Sequence, residues 1–490
     1  MTQRLTWTPR AGFAAAAATA IGAIGLGPPG APGFLAAALL AAAAAGAYVA
    51  ARAEPAWLLS AGIAASVLSG NSAYVGLPLG PDRLLLAAGL FAVVMGDVAR
   101  RHTRGEGLWG LPRMTFTHWV LVAAAAWAVA SAARAGTLQT SAGLFGLLDR
   151  FGFVPFAMFF VAPLAFATER QRSILLGTLV ALGAYLGLTA LFEGIGLRAL
   201  VVPGYISDPA VGIHFGRARG PFVEAVANGM GLFTCATAAA VGLTRWREWA
   251  ARYACWAVMA LCAVGLLLTL TRSIWLSSIV AAAAAFLASP RLRGWLIPGA
   301  LLGAIAVTGA LAALPALNER VDQRSTEESS VWVRKNTSRA ALEMIQARPV
   351  AGFGWQTFQT RSAPYFRQAA TYPAIGVGQG VHNVFLGNAA ELGIPGAVLW
   401  ACGLLLAIGG AIVRRAPPAL QPWRIGLVAL AVQWLIVANL TPLPWAFPTL
   451  VLWTWAGIVA SGAAGPRDDG RFVVRRGEPQ RAATKRNVLT

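Results

Sequence analysis

Charge is scarce in this chain of 490 residues: only 12% are Asp, Glu, Lys or Arg, and 39 basic residues outnumber 19 acidic ones. A soluble domain carries about twice that share of charge, so a water-facing surface along the whole length is excluded. Cysteine is rarer still. Cys235, Cys255, Cys262 and Cys402 all fall in apolar stretches, with no CxxC pair and no histidine at ligand spacing. That excludes a disulfide framework and predicts buried free thiols. Neither GxxxxGKS/T nor GxSxG occurs, which removes support for an ATP-driven role or a serine nucleophile. Carboxylates suited to a metal are missing too. Asp468-Asp469 lies in the C-terminal tail and Glu327-Glu328 has no histidine at ligand spacing, so the expected chemistry is metal-independent and uses no cofactor.

What the chain has instead is apolar length. Hydrophobic residues make up 57% of it, with 18 Trp, and its mean hydropathy is +0.62. Apolar runs of about 17 to 22 residues, enough to cross a hydrocarbon core of about 30 Å as helix, recur along the sequence. They fall near 11–27, 33–51, 56–77, 84–99, 114–133, 151–167, 174–196, 222–243, 253–271, 273–289, 295–314, 383–412, 425–440 and 444–462. Backbone groups in lipid must bond internally, so the expected fold class is an all-α polytopic membrane protein of about 12–14 transmembrane helices. The organisation expected is N-terminal transmembrane helices over 1–314, a long loop over 315–381, C-terminal transmembrane helices over 382–462 and a basic tail over 463–490. The run after Arg4 and Arg10 imitates a signal peptide, but another span follows at once and it reads as a retained helix.

The net charge of +20 does not point to nucleic acid, because the arginines are spread between spans rather than massed in one block. Alternate loops carry Arg52; Arg100, Arg101, Arg104 and Arg113; Arg170 and Arg172; Arg245, Arg247 and Arg252; Arg291 and Arg293; Arg414, Arg415 and Arg424; and the tail from Arg467. The positive-inside rule places these loops and both termini in the cytoplasm. The loop at 197–221, the turn at Arg272 and the loop from Pro315 to Val381 then face outward. Arg198, Arg217, Arg219 and Arg272 are cations on the face that the rule disfavours, which predicts either a bound anion or pairing with Glu193 and Glu224.

The long loop contains an amphipathic helix over Val331–Arg348, with Val331, Ala341, Leu342 and Ile345 on helical spacing and a stop before Pro349. A glycine turn at Ala351–Trp355 follows, then an irregular aromatic stretch, and such a loop reads as a lid. It ends in His382-Asn383, where the next apolar run begins. Histidine exchanges protons near neutral pH, and Asn383 and Glu391 on the same helix are polar where lipid contact would favour apolar residues. His382 is therefore the candidate base, with Asn383, Glu391, Arg339 and His214 in support, although a lone histidine at a helix start is more often structural. Arginine forks suit a diphosphate through paired, charge-assisted hydrogen bonds. Arg272 and Arg334 are the preferred pair, with Arg217 and Arg219 next, whereas Arg339 and Lys335 also fit a solvated helix face.

These residues fall in patterns that resemble the O-antigen ligase family. The patterns are Arg219-Gly220-Pro221-Phe222 through Asn228; Thr271-Arg272-Ser273; Arg334 followed by Ala341-Leu342, Pro349 through Gly352 and Gly354; and His382-Asn383 with Leu386, Glu391, Gly393 and Gly396. One departure stands at Ser338, where the family pattern carries an aromatic residue. The resemblance implies a GT-C-like membrane fold of the bacterial inner membrane with its active site facing the periplasm. It implies an inverting transfer of glycan from an undecaprenyl-pyrophosphate donor to the lipid A core oligosaccharide, completing lipopolysaccharide. By motif it gives His382 the role of base and Arg272 and Arg334 that of holding the pyrophosphate. The partners implied are those two glycolipids and membrane lipids, with a pocket open sideways to the bilayer. An O-antigen polymerase or a protein O-oligosaccharyltransferase fits the same patterns, and a lipid-linked glycan transporter is the reading from another class.

Overall fold

The computed structural model describes residues 53–77, 80–103, 114–299, 301 and 329–462. The expected spans at 11–27 and 33–51, most of the one at 295–314, Glu327-Glu328 and the tail from 463 lie outside them. Among the described residues the secondary structure is helical, with no strand. The helices are α1 (Pro55–Ala65), α2 (Pro81–Thr103), α3 (Phe116–Ala135), α4 (Ser141–Phe145), α5 (Phe153–Ala165), α6 (Glu169–Ile195), α7 (Ala225–Arg245), α8 (Trp249–Leu268) and α9 (Arg272–Ala288). After these come α10 (Ser329–Ala347), α11 (Phe358–Arg361), α12 (Val384–Leu404), α13 (Gln421–Ala438) and α14 (Ala446–Ser461).

Seven helical stretches among the described residues are long and apolar enough to cross a membrane, and three shorter apolar ones accompany them. This is a multi-pass membrane protein. Most sequence-derived spans reappear within a few residues; the exception is 56–77, which leaves helix near Leu68 and continues as short turns. A further joining is seen at 141–165, where α4 runs through a π-helical turn at Gly146–Phe151 almost into α5. The bundle packs through small residues. Gly183 and Gly187 of α6 let α8 approach so closely that a Cβ at either would press on Val258 or Leu261, the packing by which helices associate in lipid. Cys235, Cys255 and Cys262 are buried free thiols as expected, but Cys402 is exposed on α12, on a face the bundle leaves uncovered.

Ion pairs mark two ends of the bundle. Arg170 meets Glu54 at 3.2 Å and Arg245 meets Glu169, gathering cations that the sequence assigns to alternate loops at the starts of α1 and α6 and the end of α7. At the opposite end, Asn71 donates to the carbonyl of Pro221 at 3.1 Å, Ala218 to Leu268 at 2.9 Å and Asn383 to Asn439 at 3.0 Å. His382 lies at this second end, the site end.

The described part of the long loop is packed into that end rather than laid over it. Helix α10 confirms the amphipathic segment, but its buried face is Asn336, Thr337, Ala340, Ala341 and Met344, while Val331 and Leu342 are exposed. The reason is that α10 packs on α12 and on Phe353 and Phe358, which select a stripe of small side chains. Beyond it, Trp355 is fully buried, its indole N–H donating to Gly143 at 3.2 Å and its carbonyl accepting from Thr137 at 2.9 Å.

Candidate active site

The site end is organised by a break in α12. Pro395 has no N–H, so the carbonyl of Glu391 loses its helical partner, and Gly393 leaves the helix altogether at φ 76, ψ 169. Three carbonyls are freed, and each finds a donor from elsewhere. Phe353 N–H bonds Ala390 at 3.0 Å, Gly354 N–H bonds Glu391 at 2.8 Å, and the Trp127 indole bonds Leu392 at 2.9 Å. In return Ile394 N–H bonds Pro349 at 2.7 Å. A Cβ on Gly352 (φ 60) would strike the backbone of Glu391 and Gly393, and one on Gly393 would strike Val350. Two sequence patterns, Pro349 to Gly354 and Glu391 to Gly396, are therefore halves of one backbone clasp that ties α10 to α12.

Glu391 belongs to that clasp. Its side chain is buried, accepts the Phe358 N–H at 3.2 Å and faces Arg150 at 3.3 Å, and the Arg150 guanidinium lies 5.0 Å from the Trp355 ring. Removing one member of a buried pair leaves the other charge uncompensated, at about 3–5 kcal/mol. Glu391→Ala is accordingly expected to lower the thermal unfolding midpoint of the detergent-solubilised protein sharply, and an unchanged midpoint would deny the pair its structural role.

His382 immediately precedes α12, held there by its neighbour. Asn383 is the N-cap: its side-chain oxygen accepts the Leu386 N–H at 3.0 Å, while its amide donates to Asn439 at 3.0 Å. The imidazole is half-buried, with Nδ1 buried and without a hydrogen-bond partner among the described residues. Burial lowers its pKa from the ordinary 6.5, the positive charge of Arg334 lowers it further, and the Gly380 backbone opposes both in part. The ring is thus neutral at neutral pH, the state in which it accepts a proton.

Arg334 sits in the first half of α10, which Asn336 fastens by donating to Pro373 at 2.8 Å and Ile375 at 3.0 Å. Its Nε is buried and unsatisfied, and its pKa is lowered by burial and by the charge of Arg272. Arg334 therefore lies within electrostatic reach of both His382, 48 positions after it, and Arg272, 62 positions before it. Two guanidinium groups brought together repel, and an anion between them relieves that repulsion.

The other candidates fall elsewhere. Arg219 is fully buried, and its guanidinium donates to the carbonyls of Ile206 (2.7 and 3.1 Å), Val211 (2.6 Å) and Asp208. Those bonds occupy its donors and tie the 197–221 loop, so it does not offer a fork to a ligand. Asn228 adds a bond to Ala218 at 3.1 Å, and Glu193 accepts the N–H of Gly220 at 2.9 Å, so the pattern from Arg219 to Asn228 is a loop fastening. The pairing of this loop with Glu193 and Glu224 reaches two of the sequence-derived candidates. Glu193 also accepts the Arg219 backbone N–H at 3.4 Å, and His214 Nδ1 stands 3.0 Å from Glu224, though not in hydrogen-bond geometry. Arg217 is half-buried on the same loop. Arg339 is half-exposed and faces Glu343 at 3.5 Å, and Lys335 lies over Tyr372, as a solvated face does.

Sequence reading missed Arg150, Asp149, Arg83 and Asp82, which meet at the same end from α2 and the π-helical turn. The available signal was a paired acid and base immediately before an apolar run, Asp82-Arg83 ahead of 84–99 and Asp149-Arg150 ahead of 151–167.

Residues 257–401, from α8 into α12, match the family described as O-antigen ligase. The match takes in Arg272, Arg334, His382 and both halves of the clasp. No curated protein matches the chain.

Proposed function

From the premise that residues 257–401 are an O-antigen ligase domain, we propose that this protein transfers glycan from an undecaprenyl-pyrophosphate donor to a hydroxyl of the lipid A core oligosaccharide. The transfer takes place at the periplasmic face of the inner membrane. The feature that supports this reading best is a half-buried histidine beside Arg334, which in turn lies near Arg272. In the proposed reaction His382 takes the proton of the acceptor hydroxyl as its oxygen attacks the anomeric carbon. The bond from that carbon to the pyrophosphate breaks with inversion, and Arg272 and Arg334 stabilise the negative charge on the leaving lipid pyrophosphate. The activated donor supplies the energy, and no metal takes part.

Reconstitution tests this. The protein in lipid vesicles, with donor, core acceptor and a chelator, is expected to yield glycan on the core acceptor. Elongated donor would make it a polymerase, glycan on a protein a protein transferase, and movement of intact donor across the bilayer without transfer a transporter.

The pH profile follows from the direction of the His382 shift. The neutral ring is the active one, so activity falls as pH drops through a pKa below 6.5 and is level above it. Arg334→Gln removes a charge that holds this pKa down, so the acid limb of whatever activity remains is expected to move to higher pH. A limb that stays in place would separate the titrating group from Arg334.

A further inference from the structure

Next to the clasp is a cavity of about 530 Å³, a size within the range of about 300–1,000 Å³ for small-molecule sites. Its walls come from Ser69 and Ser72, the start of α2, the π-helical turn, Gln356 and Trp445, so it opens at the site end. Its charges are matched. Asp82 and Asp149 face Arg83 and Arg150. Arg83 grips Asp149 through two hydrogen bonds and Ser69 through a third at 3.2 Å, whereas Arg150 faces Glu391 at 3.3 Å as an ion pair and keeps a buried Nε without a hydrogen-bond partner among the described residues. The carboxylate left without such a grip is Asp82. It is 1% exposed, and neither of its carboxylate oxygens makes a well-formed hydrogen bond among the described residues, although the Arg83 backbone and the Ser69 side chain stand close enough to favour its charge. Arg83 Nε stands 3.5 Å away. A carboxylate in the first turn of a helix complements the helix dipole, but a buried one without a well-formed hydrogen bond still lacks the donors that would replace its water.

We propose that this cavity is a carbohydrate subsite in which Asp82 accepts hydrogen bonds from hydroxyl groups of an uncharged sugar. Sugar hydroxyls are donors of the kind the carboxylate lacks, and O–H to carboxylate bonds are among the strong ones. Ser69, Ser72 and Gln356 supply further polar partners, and the half-buried Trp445 ring offers an apolar face to the sugar's C–H side. A phosphate is disfavoured, because its charge would meet the Asp82 carboxylate while Arg83 is held by Asp149 and Arg150 is already paired in charge with Glu391. The end thus divides its work: Arg272 and Arg334 suit the anionic group, and the cavity suits the neutral glycan beside it. Arg150 lines the cavity and comes near the segment that leads to His382, since a Cβ on Gly387 would lie 3.4 Å from its guanidinium and 3.7 Å from Val381. The naming of a glycan rests on the transferase reading; the demand for hydroxyl donors does not.

The test is thiol protection in the full-length protein. Ser72→Cys on a Cys402→Ser background is labelled with a charged methanethiosulfonate, alone and with lipid-free oligosaccharide from the donor, lipid-free core oligosaccharide, inorganic pyrophosphate or Mg²⁺. One of the oligosaccharides is expected to slow labelling, and which one does so assigns the subsite to donor or acceptor. Asp82→Asn is then expected to raise the concentration for half protection about 10- to 100-fold, the loss of one charge-assisted hydrogen bond. Protection by pyrophosphate or Mg²⁺ instead, or by neither glycan, overturns the proposal. Because protection requires no turnover, it survives if transfer fails in reconstitution. A working transferase whose Ser72→Cys thiol no glycan protects loses the subsite alone.

Discussion

His382→Ala is expected to lower the rate of glycan transfer by about 10²–10⁴-fold, the range of a positioned general base. Folding is expected to be nearly unaffected. The start of α12 is held by Asn383 and its bonds to Leu386 and Asn439, and the imidazole Nδ1 makes no hydrogen bond that its removal would break. The measurement is product formation in vesicles, normalised to protein that elutes as a single species and unfolds at the parental temperature. Transfer at the parental rate by such protein would remove His382 from the chemistry. Asn383→Ala makes a useful contrast, since it keeps the ring but loosens its seat, at about 1 kcal/mol for a lost N-cap.

The second large effect concerns the fork of arginine rather than its charge. Arg272→Lys and Arg334→Lys are each expected to reduce kcat/KM by about 10²–10³-fold, comparable to removing one donor from a site that stabilises developing negative charge. Lysine keeps the cation but offers a point charge in place of two parallel N–H groups. At Arg334 a second cost applies. The lysine ammonium is more strongly hydrated, and this position is half-buried with an unsatisfied Nε. Donor affinity and turnover that both remain at the parental level in either variant would reject the assignment. Arg219→Lys serves as the opposite control: its donors hold Ile206, Val211 and Asp208, so its loss is expected to appear in stability and not specifically in donor handling.

The helices were legible because lipid imposes one simple rule, apolar length. The rule fails where a polar end interrupts a run: the apolar run that starts at 56 gives way after Leu68 to Ser69-Gly70-Asn71-Ser72, which lines a polar cavity. His382 and Arg272 stood out as candidates because each is a titratable or charged side chain at the edge of an apolar helix, whereas Arg334 lies on an amphipathic helix with other charges and stood out by its place in the family pattern. Arg219 stood out in the same way, and only the backbone carbonyls around it reveal that its fork is occupied. The Asp82 cavity was hidden for another reason. Its members come from α2, the π-helical turn and the segments at 356 and 445, and no periodicity connects positions so far apart.

The break at Gly393 also has a mechanical meaning. Because the backbone of α12 is hydrogen-bonded on both sides of it to the segment that follows α10, the helix carrying Arg334 and the helix behind His382 are coupled through main chain and not only through side-chain contact. A change of bilayer thickness is therefore expected to shift the two together. In the proposed reaction, substrates of very different length would be brought to this coupled pair, and a gate for their lipid tails would be made by other helices.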